Sequence, residues 1–140
     1  MKKMKIAAFG VFDILHSGHV KFLEECKKLA KNSKLIVVIA RDSVVAREKG
    51  RKPIIPEEER RYMVQSLKPV DEAILGNEDS DKLKIVEEIK PDVIALGYDQ
   101  EWDEKELEEE LRKRGLRVKV IRLKKYGKSK SSKIRKRINI

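Results

Sequence analysis

The sequence predicts an α/β domain built as a Rossmann-like, doubly wound parallel sheet, and three observations carry that prediction. Short apolar runs alternate with segments of helical periodicity along the chain, the pattern of a sheet with crossover helices. The runs are apolar throughout, as strands covered on both faces are. The first of them breaks at a glycine just before a helix, the arrangement of a ligand-binding βα turn. A chain of 140 residues suits one compact domain. Residues 1–140 are therefore read as a single unit with a basic C-terminal segment at 122–140.

Each element follows from local chemistry. Lys5–Phe9 reads as the first strand. Gly18–Lys31 carries Val20, Leu23, Cys26 and Ala30 at helical spacing. Leu35–Ala40 is a buried strand, and Asp42 suits the N-cap of a short helix ending at Lys49. Gly50–Ile55 is a loop. Pro56 and the acidic Glu57–Glu59 suit the first turn of a helix to about Leu67, where negative charge meets the positive end of the dipole. Ala73–Leu75 is a short strand and Lys82–Ile89 a helix with Leu83, Val86 and Ile89 inward. Val93–Leu96 is another strand. Asp103–Arg114 is a helix with Leu107 and Leu111 inward and Gly115 as its stop. Val118–Ile121 closes the sheet, and Ser131 or Ser132 can cap a final helix.

Composition excludes several classes. Charged residues make up 41% of the chain, far above the usual quarter, and Asn and Gln are scarce; that is the profile of a heat-adapted protein, a thermophilic archaeon's for example. The single cysteine, Cys26, cannot form an internal disulfide, which fits a reducing, cytoplasmic setting. No apolar run approaches a membrane span. The basic, then apolar, start resembles a signal peptide only superficially, because Asp13 and His16 interrupt it. The net charge is +10, and nine Lys or Arg without any acid lie in residues 122–140, leaving +1 for the rest. That segment calls for an anion, whether nucleotide, nucleic acid or acidic surface. Nucleic acid is the weaker candidate, since the tail has no interleaved aromatics and no recognition-helix motif occurs.

The chemistry concentrates in the first turn. The only two histidines, His16 and His19, flank Ser17 and Gly18 where a helix begins. Free backbone N–H groups and the helix dipole make that position an anion site. Gly18 permits close backbone approach, and imidazoles can donate hydrogen bonds to phosphate without full positive charge. Capping histidines, or part of a zinc site lacking its other ligands, are the other readings of the pair. A direct protein metal site is not expected.

The stretch GVFDILHSGH resembles the signature of the cytidylyltransferase-like nucleotidyltransferases, usually G-T-F-D-x-x-H-x-G-H, with Val11 in place of the threonine. The likeness continues through Lys49-Gly50-Arg51-Lys52-Pro53, Glu59-Arg60-Arg61, Leu96-Gly97-Tyr98-Asp99-Gln100 and Ser131-Ser132-Lys133-Ile134. It implies that an acceptor phosphate attacks the α-phosphorus of a nucleoside triphosphate and that pyrophosphate leaves. His16, His19, Lys49 and Arg51 would be catalytic. Val11, Phe12, His16, Ser17, Gly18, His19, Asp99, Tyr126, Ser131 and Ser132 would hold the nucleotide. Asp13, Lys49 and Arg60 would face the acceptor. Mg²⁺ or another divalent cation would accompany the triphosphate. Lys49 and Arg51 read equally well as surface charge, and Asp99 as a helix cap.

Within the family, GVFDILHSGH, RKPIIPEEERR and LGYDQ together are most similar to the archaeal FAD synthases. That likeness makes ATP the donor and FMN the acceptor, with FAD as product. The alternative is a CTP-dependent glycerol-3-phosphate or polyol phosphate cytidylyltransferase. That group favours a G-D-D-W turn and an R-x-x-G-I-S-T-T tail, whereas here Gln100 and Glu101 precede Trp102, and Lys125 and Lys130 stand in the tail. The family also implies a homodimer.

Overall fold

The computed structural model describes residues 2–126. Five strands form one parallel sheet: β1 (Met4–Gly10), β2 (Ser33–Ile39), β3 (Glu72–Leu75), β4 (Val93–Leu96) and β5 (Lys119–Arg122). Their order is β3-β2-β1-β4-β5, so the chain reverses its winding on either side of β1. Along β1, Ile6 and Ala8 join a cluster with Leu23, Cys26, Leu35 and Val64. Ala7, between them, joins Val86, Ile94, Leu107 and Leu111. Strand alternation thus sends neighbouring residues to two separate cores. Helices α1 (Ser17–Lys27) and α3 (Glu57–Gln65) cover the first face, and α4 (Lys84–Ile89) and α5 (Glu104–Lys113) the second. The doubly wound sheet expected from the sequence is therefore present. The helix expected at Ser131 or Ser132 lies outside the described residues.

Most boundaries agree with the sequence reading to within two residues, and three helix ends differ for a clear local reason. Helix α1 stops at Lys27, short of Lys31, because the Ser33 hydroxyl donates to the Lys27 carbonyl (2.7 Å) while the Lys27 ammonium donates to the Ser33 carbonyl (2.7 Å). Ala30 then lies beyond the helix but still packs on the core. Helix α4 begins at Lys84, after Asp81 and Asn77 have taken the Leu83 and Ile85 backbone N–H groups. Helix α2 (Asp42–Lys49) is not capped by Asp42. Its N-cap is Arg41, which makes no side-chain cap bond, and Asp42 is already helical.

The Asp42 carboxylate is directed instead to Arg60, the largest fully buried side chain, only 1% exposed. Arg60 donates from Nε to the Ile55 carbonyl (2.8 Å), from Nη1 to those of Val11 and Ala40 (2.8 Å each), and from Nη2 to Asp42 (2.7 Å). One guanidinium thereby ties the turn after β1, the end of β2 and the 50–56 loop together. Burying a charge this deeply is tolerated only when its donors are satisfied.

Candidate active site

The carboxyl ends of β1 and β4 open into a cavity of about 440 Å³, on the side of the sheet covered by α1. Its floor is the turn after β1. Gly10 is required there, because a Cβ would stand 2.6 Å from the Phe12 ring. Phe12 adopts the left-handed conformation (φ 51°), which is uncommon outside glycine, and packs edge-on to His19, with ring centroids 5.3 Å apart. The turn is shaped as much by this ring as by its glycine.

His16 is the N-cap of α1, and its Nδ1 accepts the Gly18 N–H (3.1 Å). His19 answers, its Nδ1 accepting the His16 N–H (3.3 Å). This is a capping box made of two imidazoles. The rings stack, with centroids 3.8 Å apart and planes at 27°. Because each Nδ1 accepts a hydrogen bond, each neutral ring carries its proton on Nε2, so both present an N–H donor. Burial lowers the pKa of His16. Burial, followed by repulsion from His16, lowers that of His19 to about 4, against the opposing pull of Asp99. At neutral pH the pair is therefore two uncharged donors at a helix N-terminus.

The structure brings most of the anticipated residues together. Val11, Phe12, His16, Gly18, His19, Lys49, Arg51, Asp99 and Tyr126 all line the cavity. Gly18 is indispensable for this closure, since a Cβ would meet the Tyr126 carbonyl oxygen at 2.6 Å. Ser17 is exposed and is not among the lining residues. Ser131 and Ser132 lie outside the described residues. Asp13 touches the cavity, but it is 6% exposed and its two carboxylate oxygens accept the Ile54 and Ile55 N–H groups (2.9 and 2.8 Å). It anchors the loop that carries Arg51. The structure does not bring Arg60 to the cavity at all; the arginine lies beneath the turn, holding it from below.

Several contributors were missed in the sequence. Gln100 accepts the Gly97 N–H (2.7 Å) and donates to the Phe9 carbonyl (3.2 Å), joining the turns that follow β4 and β1. The sequence places Arg122 in the basic segment that calls for an anion. In the structure it ion-pairs with Glu104 (2.7 Å) and donates to the carbonyls of Gly97, Gln100 and Trp102, so that it clamps the turn bearing Asp99. Its place at the carboxyl end of the last strand was the available signal. Lys124 and Lys125 also line the cavity, with their ammonium groups 5.7 Å from the Tyr126 ring centroid and 5.8 Å from that of Tyr98. Among the described residues, no group of three or more His, Cys, Asp or Glu could hold a metal ion, and no helix is long and apolar enough to cross a membrane.

A parallel sheet with paired histidines at its first helix N-terminus, facing cationic side chains, defines a nucleotidyltransferase of the cytidylyltransferase-like family. The chain belongs to that family, whose model matches residues 7–137. More particularly, it is 61% identical over 126 residues to a protein named FAD synthase from Aciduliprofundum boonei, covering 90% of this chain and 82% of that one. It is 49% identical over 137 residues to the FAD synthase of Thermoplasma volcanium, covering 96% and 94%. Among solved structures it resembles one described as a lipopolysaccharide core biosynthesis protein from Thermoplasma volcanium (TM-score 0.83, 49% identity, 90% of this chain and 100% of that one). It also shares its fold with a pantoate-beta-alanine ligase from Francisella tularensis (TM-score 0.59, 14% identity, 90% and 60%).

Proposed function

We propose that the chain is an FMN adenylyltransferase, an FAD synthase that transfers AMP from ATP to FMN and releases pyrophosphate. The observation that carries the transfer chemistry is the pair of stacked, uncharged histidines whose Nδ1 atoms are both occupied by backbone N–H groups. The names of the relatives carry the choice of FMN.

An FMN phosphate oxygen forms a new bond to the α-phosphorus, and the bond from that phosphorus to the oxygen bridging to the β-phosphate breaks. Pyrophosphate leaves with the electron pair. The attacking oxygen is already anionic near neutral pH, so no general base is needed. Alignment and stabilisation of developing charge lower the barrier. His16 and His19 donate from Nε2 to the α- and β-phosphate oxygens, helped by the N-terminus of α1. Lys49 and Arg51 meet the leaving pyrophosphate and the approaching acceptor from the rim. Asp99 accepts from the adenine amine or a ribose hydroxyl, beside Val11, Phe12 and Tyr126. Ser131 and Ser132 extend the nucleotide contacts. A divalent cation would accompany the triphosphate and neutralise part of its charge. A homodimer in the cytoplasm completes the proposal.

The test is pyrophosphate release with Mg²⁺, crossing ATP and CTP against FMN and glycerol-3-phosphate, beside a His16→Ala/His19→Ala control. Turnover restricted to ATP with FMN, lost in the control, supports the proposal. Turnover with CTP and glycerol-3-phosphate overturns the substrates and keeps the mechanism.

A further inference from the structure

A second cavity, of about 200 Å³, opens on the other flank of β1, against α4 and α5. The two cavities share Phe9, Gly10, Val11 and Gln100, so they meet over the last residues of β1. Their chemistry differs sharply. The second is walled largely by aliphatic side chains, among them Val38, Val44, Ile85 and Leu96, with Arg41, Glu48, Asn77, Lys82 and Gln100 also on its lining. The Glu48–Lys82 ion pair (2.6 Å), both of whose residues line the cavity, neutralises two of the charges there. Trp102 also lines it, although the residue is 38% exposed. It is held through its main chain, its carbonyl accepting from Arg122, which is itself fixed by Glu104.

An indole presented beside an apolar cavity is suited to stacking on a flat ring. A polyol phosphate needs partners for each hydroxyl, and the charged groups on this wall are already paired, Glu48 with Lys82 and Arg41 with Glu57. The adenine side, by contrast, has Asp99 and two tyrosines within the first cavity. We propose that the second cavity seats the isoalloxazine ring of the acceptor, and that Trp102 is the residue selecting a flat aromatic acceptor over a polyol phosphate. This rests on the FAD synthase reading above. With the ring so placed, the ribityl chain crosses the shared Gly10–Val11 edge and delivers its phosphate to the nucleotide held by the histidines. The assignment accounts for an exposed tryptophan that the phosphate chemistry does not use.

Trp102 is the only tryptophan in the chain, so the part of the flavin quenching that is lost when it is replaced reports this contact. FMN fluorescence is titrated with the wild type, Trp102→Leu and Val44→Trp without ATP, and KM values for FMN and ATP are measured in parallel. The wild type should quench strongly. Trp102→Leu should lose most of the quenching and bind FMN about tenfold more weakly, with a matching rise in KM for FMN and none for ATP. Val44→Trp, which fills the cavity, should abolish FMN binding and leave ATP binding intact; if it fails to fold, Trp102→Leu decides alone. Unchanged quenching and KM for FMN in Trp102→Leu overturn the seat, as does a rise in KM for ATP instead, which would put adenine there. If the wild type makes FAD while the variants behave like it, the seat is wrong and the enzyme reading stands. If the wild type binds flavin through Trp102 but makes no FAD, the enzyme reading falls and the seat stands; neither binding nor turnover overturns both.

Discussion

The two flanks of β1 differ in what they do with the same strand end. On the α1 side, the backbone N–H groups of a helix, two imidazoles and several cations converge on one cavity. On the α4 and α5 side, aliphatic side chains line a cavity half that size with a tryptophan beside it. The first offers hydrogen-bond donors and cations to an anion; the second offers a largely apolar wall to a flat ring, as proposed above. On the proposed reading, replacing the histidines of the first flank should lower kcat, while substitutions on the second should raise the KM for the acceptor.

The largest effect expected is from His16→Ala/His19→Ala. Losing both donors should lower kcat by about a thousandfold or more, since a single oxyanion donor is often worth a hundredfold. Rates under saturating ATP and FMN provide the check, and a loss confined to KM would place both histidines in ground-state binding. Arg60→Met comes next. It strands three backbone carbonyls and the Asp42 carboxylate, and should cost about 3 kcal/mol of stability in chemical denaturation.

A pH experiment sharpens the comparison further. His19 is neutral in the folded protein down to about pH 4, whereas the unfolded chain takes up its proton near 6.5. Between these values the unfolded state binds more protons, so stability falls as pH drops. The loss should total about 2 kcal/mol, allowing for solvent screening of a partly exposed ring. In His19→Gln the decline in melting temperature between pH 6.5 and 4 should be correspondingly shallower. The smallest effect is expected for Gly18→Ala. Its Cβ would push the Tyr126 carbonyl from 2.6 Å, displacing the cavity wall and raising the KM for ATP about tenfold, with KM for FMN nearly unchanged.

How much of this was legible beforehand depended on the range of the interactions. The five strands, the stop at Gly115 and the H-x-G-H turn rest on neighbouring residues. Apolar runs, a left-handed glycine (φ 83°) and a helix start are all visible within a few positions. Asp42 was misjudged because capping preference is a local statistic, and a buried arginine 18 residues away competed for its carboxylate. Arg60 was placed at the acceptor for the converse reason. A family arginine near a site looks like a ligand contact until burial shows its donors taken by backbone carbonyls.

The sequence by itself determined the strands and helices, the doubly wound class of the sheet and the paired-histidine turn after its first strand, because periodicity and a helix start after a strand are short-range properties of the chain. Only the tertiary structure decided the histidines' tautomers, the structural duties of Asp13, Arg60 and Arg122, and the second cavity. Each depends on groups brought together across long stretches of chain, such as Gln100 on the Phe9 carbonyl at a separation of 91 residues. Hydrogen-bond satisfaction and burial are settled by packing in three dimensions, and no local pattern encodes which distant carbonyl a buried donor will reach.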